Sequence, residues 1–150
     1  MRLEDEIKST KFESETHKAH VNILFTSAWL RSRVQPILKR GGLTHEQFNV
    51  LRILRGQSPE AICMMDIASR MLERNSNVTR IVEKLLAKNL CTRLRSQQDK
   101  REVRIAITQA GLDLLTRIDE HFKQSSIHTS TLSVAEAQIL NGLLDKLREE

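Results

Sequence analysis

The sequence is short of the residues that build disulfide-stapled, metal-bound or membrane-spanning proteins. Its 150 residues include two cysteines, two prolines, five glycines and no tyrosine. Cys63 and Cys91 lack the spacing of a metal motif or a CxxC pair, so we expect them to be buried free thiols. The charged, acidic start of the chain does not resemble a signal peptide, and no run of about 18 apolar residues occurs. We therefore expect a cytoplasmic protein that does not insert into a membrane.

Residues that would carry catalysis are also missing. There is no recognisable Ser-His-Asp set, phosphate-binding loop or paired-carboxylate site, so we expect neither an enzyme nor a bound cofactor. Two minor alternatives stay open. His17 and His20 lie one helical turn apart near Glu13 and could ligate a metal, although surface histidines are the simpler interpretation and we expect no metal site. Cys91 could sense oxidants, although a partly buried position on a strand argues against it.

Positive charge, by contrast, is concentrated in one part of the chain. Residues 70–104 hold ten Lys or Arg and four Asp or Glu, a net charge of +6. The rest of the chain carries 14 basic and 15 acidic side chains, so the whole net charge of +5 lies in this window. Such a surface attracts phosphates. The window has no aromatic residue that could stack on unpaired bases, which favours duplex DNA as the partner.

Hydrophobic spacing predicts three helices and a short strand in the first half of the chain. Gly41-Gly42 and Gly56 would end the first two helices, and Thr44 with Gln47 has the form of a capping box. The predicted elements are, in order, a helix at about 17–40, a helix at about 44–56, a strand at about 62–64 and a helix at about 65–72.

The next helix carries the clearest pattern in the chain. Its apolar residues follow i, i+3, i+4, i+7, i+8 spacing, at Val78, Ile81, Val82, Leu85 and Leu86. Asn75 or Ser76 is the predicted N-cap. Two runs of alternating residues, 90–95 and 102–107, then flank the polar segment 96–101 and predict an antiparallel hairpin.

Two further helices follow the hairpin. Thr108 caps the first of them, and a second capping box, formed by Ser133 and Glu136, opens the last. Apolar residues of the last helix repeat at 3-4-3 spacing, at Ala137, Leu140, Leu144 and Leu147. Such a narrow seam is typical of an interface between two helices.

This order of elements is typical of a winged helix-turn-helix, whose mechanism follows from its geometry. An α-helix fits the major groove of DNA, and the N-terminal end of the recognition helix faces the bases. That end presents Ser76, Asn77, Thr79 and Arg80, which can bond bases or phosphates. Lys84 and Lys88 lie further along the helix, where they suit backbone phosphates.

The tip of the hairpin adds a second predicted contact. Asp99 can hold the Arg101 guanidinium in one orientation, and a fixed arginine suits a narrow minor groove. The other basic residues of the hairpin would contact phosphates, namely Arg93, Arg95, Lys100 and Arg104. The simpler alternative is a solvated helix face beside a turn held by a surface ion pair. The alternative function is a winged helix used as a protein-interaction module.

Several of these segments resemble the MarR family of bacterial transcription regulators. The most specific is Asp99-Lys100-Arg101, followed by an alternating strand and Thr108-Gln109-Ala110-Gly111. Asp66-Ile67-Ala68, residues 78–85 and 89–93, and residues 43–51 resemble other parts of the family pattern. The similarity covers about residues 20–150. One departure is Asn89, where the family often has glycine, and asparagine tolerates the same left-handed backbone nearly as well.

The resemblance implies a mainly α fold with a small β-hairpin, a winged helix-turn-helix flanked by N- and C-terminal dimerisation helices. It implies one domain, 1–150, with a DNA-binding lobe at about 43–108 and dimerisation helices at about 17–41 and 109–150. A homodimer would bind a pseudo-palindromic operator, with Arg101 in the minor groove and Ser76–Arg80 in the major groove. The function implied is a repressor released by a small, often aromatic or phenolic, ligand. A family-like ligand pocket would draw on Phe25, Trp29, Arg33 and Phe48, for which ordinary core packing is the alternative.

Overall fold

A computed structural model of the chain describes residues 1–95, 103–125 and 131–149. These residues form seven helices and three strands, which confirms the mainly α fold. The helices are α1 (Leu3–Ile7), α2 (Glu15–Arg40), α3 (His45–Gln57), α4 (Met64–Ser69), α5 (Val78–Ala87), α6 (Gln109–Gln124) and α7 (Val134–Leu147). The strands are β1 (Ile62–Cys63), β2 (Cys91–Arg95) and β3 (Val103–Ile107). Among the described residues, no helix has the length and apolarity needed to cross a bilayer.

The three strands form one antiparallel sheet in the order β1-β3-β2. The predicted hairpin is its larger part, with Arg93 paired to Ile105 and Arg95 to Val103. Strand β1 adds one short edge through Ile62, which pairs with Ile105. Because Ile105 is buried, the face of β2 that carries Arg93 and Arg95 lies on the side of the sheet that packs on the helices.

One hydrophobic core lies between the sheet, helices α3 to α6 and the end of α2. Its centre consists of residues with less than 2% exposure, namely Leu38, Val50, Leu51, Leu54, Ile67, Val82, Leu85, Ile105, Leu115 and Ile118. Helix α6 is tied to α3 at the edge of this core, because Arg55 bonds the Asp119 carboxylate at 2.6 Å. We call this core and the elements around it, residues 43–108 with α6 packed against them, the lobe.

Three helices begin at the capping side chains that the sequence predicted. Thr44 and Gln47 form the capping box of α3, and Ser133 with Glu136 forms that of α7. Thr108 caps α6, where its hydroxyl accepts from the Gly111 amide at 3.1 Å. Hydrogen bonds from Ser133 lower the pKa of the Glu136 carboxyl.

Three described residues have a positive φ, namely Lys8, Gly42 and Asn89. Gly42 follows the C-cap of α2 with a φ of 67°, a conformation that glycine adopts without a Cβ penalty. Asn89 has a φ of 57° and ends α5, as expected of an asparagine in that place. Position 111 requires glycine for a different reason, because a Cβ there would lie 2.3 Å from the Leu90 carbonyl oxygen.

Several boundaries differ from the prediction, among them the start of α2, which is Glu15 rather than about His17. Helix α1 was not predicted, since five residues make too weak a periodic pattern; buried Leu3 and the 2.5 Å ion pair from Lys18 to Glu4 hold it against α2. Helix α4 ends at Ser69, not near Leu72, so residues 70–77 form a linker before α5. Helix α3 continues one residue past Gly56, because that glycine keeps a helical conformation.

The first two thirds of α2, together with all of α7, form a second region that we call the frame. Only Ile37 and Leu38 of the 26 residues in α2 are buried, and no residue of α7 is buried. Large apolar side chains of the frame face solvent in the single chain. They include Leu24, Trp29, Leu30, Val134, Ile139, Leu140, Leu143 and Leu147.

Candidate nucleic-acid interface

Helix α5 has the two faces that its spacing predicted. Val78, Val82 and Leu85 are buried in the lobe. The opposite face is exposed and mostly polar, and it consists of Thr79, Arg80, Glu83, Lys84, Ala87 and Lys88. Two of its cations, Arg80 and Lys84, lie one turn apart, so α5 offers a basic surface that is anchored from behind.

The N-terminus of α5 is capped by Asn77, so the prediction of Asn75 or Ser76 as the cap was wrong. The Asn77 side-chain oxygen accepts from the Arg80 amide at 3.1 Å. The buried Val78 occupies the first helical position, which moves the cap to the residue directly before it. The side-chain oxygen of Asn77 is therefore occupied by the helix cap. Ser76 is half-buried, and Thr79 and Arg80 are exposed on the first turn.

The basic residues of β2 differ in their partners. The Arg93 guanidinium pairs with the Glu83 carboxylate of α5, so this pair ties the hairpin to α5. Arg95 is exposed at the end of the strand. Arg104 of β3 is half-buried and donates to the Ala61 carbonyl at 3.4 Å. Asp99, Lys100 and Arg101 lie outside the described residues.

Lys88, expected near a phosphate, has internal partners instead. Its ammonium donates to the Gly42 carbonyl and, at 3.2 Å, to the Gln47 amide oxygen. Gln47 is buried and its oxygen also accepts from the Thr44 amide at 3.2 Å. Lys88 thus fastens the end of α5 to the turn between α2 and α3.

A cavity of about 370 Å³ lies between α2, α3 and the linker. Of the four residues predicted to bind a ligand, Phe48 lines it, while Phe25, Trp29 and Arg33 are absent from the lining that the described residues provide. The lining consists of Arg31, Val34, His45, Glu46, Phe48, Asn49, Arg52, Met71, Leu72 and Glu73. A hydrogen bond from Thr44 lowers the pKa of the Glu46 carboxyl on its rim.

The aromatic residues named for the ligand lie in two separate places. Phe48 packs edge-on against Phe122 with ring centroids 5.7 Å apart, and Arg52 lies 5.8 Å from the Phe48 ring. Trp29 lies on the frame, where the Arg33 guanidinium stacks 4.9 Å from its ring. The family resemblance grouped these residues in one pocket, whereas Trp29 and Arg33 are not in the cavity lining that the described residues provide.

The cysteines and histidines have ordinary surroundings. Both cysteines are free; Cys91 is buried, and burial raises the pKa of its thiol to about 11. Cys63 is half-buried and caps α4, so only Cys91 fits the expectation of a fully buried thiol. His17 accepts from the Glu13 amide at 3.3 Å through Nδ1. In the part of the chain that the structure describes, no cluster of three metal-ligating side chains occurs.

Residues 43–103, which run from the start of the lobe to the first residue of β3, match the family model of the MarR family. The chain is 32% identical over 123 residues to YpoP, an uncharacterized HTH-type transcriptional regulator of Bacillus subtilis strain 168. The match covers 79% of this chain and 82% of YpoP. The chain belongs to the MarR family.

Two further MarR-like comparisons extend this result. The homoprotocatechuate degradative operon repressor of Escherichia coli is 32% identical over 97 residues, which cover 62% of this chain and 64% of the repressor. The fold matches the crystal structure of the Staphylococcus aureus MepR–DNA complex with a TM-score of 0.74, at 22% identity over 91% of this chain and 97% of MepR. At that identity the likeness is one of fold. This chain is thus a MarR-type transcriptional regulator with the winged helix fold of its family.

Three features of this MarR chain escaped prediction. The Arg31–Glu73 ion pair joins residues 42 positions apart, and no local pattern marks such a pair. The Asn49 side chain bonds the Leu72 amide at 2.9 Å, which depends on where α4 ends. The cap at Asn77 did leave a sequence signal, since it directly precedes the first residue of the apolar stripe.

Proposed function

We propose that this MarR-family regulator is a homodimeric repressor that binds a pseudo-palindromic DNA operator and is released by a small molecule. The observation that carries the DNA-binding part is the exposed basic face of α5 beside β2. The first turn of α5 would enter the major groove, with Thr79 and Arg80 at the bases. Ser76 would bond a base or a phosphate nearby.

The sequence predicts Asn77 as a DNA contact, whereas in this proposal it acts mainly as the cap of α5. Its oxygen serves the helix, which leaves its amide NH₂ group as the donor available to DNA. We therefore assign Asn77 first to holding the Arg80 turn and second to DNA contact. Asp99, Lys100 and Arg101 stay predicted contacts of the hairpin tip, with Arg101 in the minor groove.

Phosphate contacts would come from the remaining exposed cations. Lys84 and Arg95 are exposed and fit this role. Arg93 carries a carboxylate partner, Glu83, so it would contribute less net charge to the DNA and would chiefly fix the hairpin against α5. The Glu83 carboxylate reduces the attraction of this surface to phosphate. Its pair with Arg93 offsets that loss by fixing the hairpin against α5.

The frame supports the homodimer. A folded monomer of this mass exposes about 7,800 Å², whereas this chain exposes 11185 Å². Obligate homodimers bury about 1,000–2,500 Å² per chain, which the excess surface can supply. The exposed apolar residues of α2 and α7 would form that interface, with α6 beside them. This proposal divides the chain into a DNA-binding part at about 43–108 and dimerisation helices at about 17–41 and 109–150, so that α6 packs on the lobe and also borders the interface.

The ligand part of the proposal rests on the cavity beneath the linker. Its apolar floor includes Val34, Phe48 and Met71, and charged side chains form its rim. Its volume of about 370 Å³ falls in the range of small-molecule sites. The cavity lies between the frame helix α2 and the linker into α5, so an occupant could alter how the two recognition helices meet DNA. Binding of a small molecule in this cavity would release the regulator from its operator and relieve repression.

The test is selection of bound duplexes from a random pool, followed by affinity measurements on the selected sequence. We expect a two-fold symmetric site and a steep loss of affinity with salt, with a log–log slope of about −7 for roughly eight phosphate contacts. Arg80→Ala should weaken the selected duplex about 10- to 100-fold and relax the preference at one base pair in each half-site. A flat salt response without a consensus would favour the protein-interaction module instead.

A further inference from the structure

The linker, residues 70–77, is fastened to the rest of the protein by side chains. Arg70 donates to the Gln57 side chain at 2.9 Å, and the Leu72 amide donates to the Asn49 side chain at 2.9 Å. Both partners belong to α3, which shares the lobe core with α5. These two bonds therefore hold the linker within the lobe.

The third side-chain contact of the linker is with α2 rather than with α3. The Glu73 carboxylate pairs with the Arg31 guanidinium, which belongs to α2. Arg31 lies six residues before Ile37, the first buried residue of that helix, and so it belongs to the frame. The Arg31–Glu73 pair thus joins the frame to the segment that leads into the recognition helix.

This ion pair is too exposed to contribute much to stability. The side chains of Arg31 and Glu73 are 51% and 42% exposed, and pairs of that kind add little to the free energy of unfolding. A geometric role fits better, because the pair restrains the position of one element relative to another.

Residues 74–77 connect Glu73 to the first turn of α5 and include a hydrogen-bonded turn. The Ser76 amide donates to the Glu73 carbonyl at 3.1 Å, which closes a turn directly before the Asn77 cap. The cap then holds the Arg80 amide. A displacement of Glu73 relative to α2 is therefore passed to the first turn of α5, where Thr79 and Arg80 lie.

We propose that Arg31 and Glu73 are positioning residues that set the distance between the two recognition helices of the dimer. This inference rests on the proposed function, in which α2 belongs to the shared frame. Each ion pair fixes one recognition helix to that frame. The dimer then accepts one spacing between operator half-sites and disfavours others, since half-site spacing follows the geometry of the protein.

The experiment measures affinity for the selected operator and for versions with one base pair added or removed between the half-sites. Each such change rotates one half-site by about 35° relative to the other. The variants are Glu73→Gln, the charge swap Arg31→Glu with Glu73→Arg, and Glu60→Gln as the control that removes one loop carboxylate elsewhere. Thermal unfolding of each variant confirms that it folds.

For the wild type and Glu60→Gln, we expect a loss of about tenfold or more per base pair of altered spacing. Glu73→Gln should reduce the spacing penalty to about threefold or less. The charge swap should restore the penalty. Equal spacing penalties in Glu73→Gln and Glu60→Gln would overturn the inference while leaving the proposed function in place. A wild type with no spacing optimum would defeat the proposed function itself, and this inference with it.

Discussion

The lobe and the frame contain similar helices that treat their apolar side chains in opposite ways. Helix α5 of the lobe buries Val78, Val82 and Leu85. Helix α7 of the frame is also rich in leucine, yet Ile139 and Leu143 are 64% and 60% exposed. Apolar side chains thus fill an internal core in one region and form an open surface in the other.

The difference shows what each region needs in order to be complete. The lobe fills its own core, so its recognition face is positioned by contacts within one chain. The frame exposes large apolar side chains, and exposed apolar patches mark interaction surfaces. Under the proposed function, this surface would be the dimer interface that joins two DNA-binding lobes.

The largest expected effect comes from truncating a side chain at the centre of the lobe. Leu85→Ala should cost about 3–5 kcal/mol of the free energy of unfolding, because Leu85 is fully buried and its truncation leaves a cavity. Chemical denaturation checks this value. The matched change Leu143→Ala in the exposed part of α7 should cost far less at protein concentrations below the dissociation constant of the proposed dimer, because Leu143 is 60% exposed in the single chain. Equal costs would erase the distinction between the two regions.

The next test breaks the frame and leaves the lobe intact. Leu140→Asp combined with Leu143→Asp should produce monomers in sedimentation, because each dimer would bury four carboxylates. Circular dichroism should show a folded lobe. Operator affinity should fall about 100-fold or more, since the second half-site no longer adds to the first. A stable dimer that keeps its operator affinity would place the interface elsewhere.

How much of this contrast the sequence could predict depends on the range of the interactions. The two faces of α5, the caps at Thr44 and Ser133 and the hairpin all follow from residues within a few positions of one another. The end of α4 and the Arg31–Glu73 pair depend on packing between distant segments, so no local pattern marked them. The ligand site stays a prediction: Phe48 lines the cavity, and Trp29 is not in the lining that the described residues provide.

A smaller effect separates the helix cap from DNA reading within the lobe. Asn77→Ala should lower the free energy of unfolding by about 1 kcal/mol, because the Arg80 amide loses its acceptor. Asn77→Ser should restore most of that stability, and Asn75→Ala, the control, should change it little. Thermal unfolding measures all three. If Asn77→Ser is stable and binds the operator like the wild type, Asn77 acts through the cap alone. A loss of stability in Asn75→Ala equal to that of Asn77→Ala would contradict the assigned cap.

The smallest expected effect concerns the thiols. Burial raises the pKa of Cys91 to about 11 from an ordinary value of 9.0, so the folded state favours the neutral thiol. The stability that this provides is present below pH 9 and is lost as the pH rises through about 11. At pH 8, alkylation followed by mass spectrometry should modify half-buried Cys63 about tenfold faster than Cys91. Faster modification of Cys91 would reopen the case for an oxidant sensor.

The most direct test of the account is the stoichiometry of the complex between this regulator and its selected duplex. Sedimentation equilibrium of the complex should give two chains of 17.3 kDa per duplex at all saturating protein concentrations, with a symmetric footprint over two half-sites. A single chain bound per duplex, with an affinity unchanged when one half-site is scrambled, would contradict the claim that two complete lobes act through one shared frame.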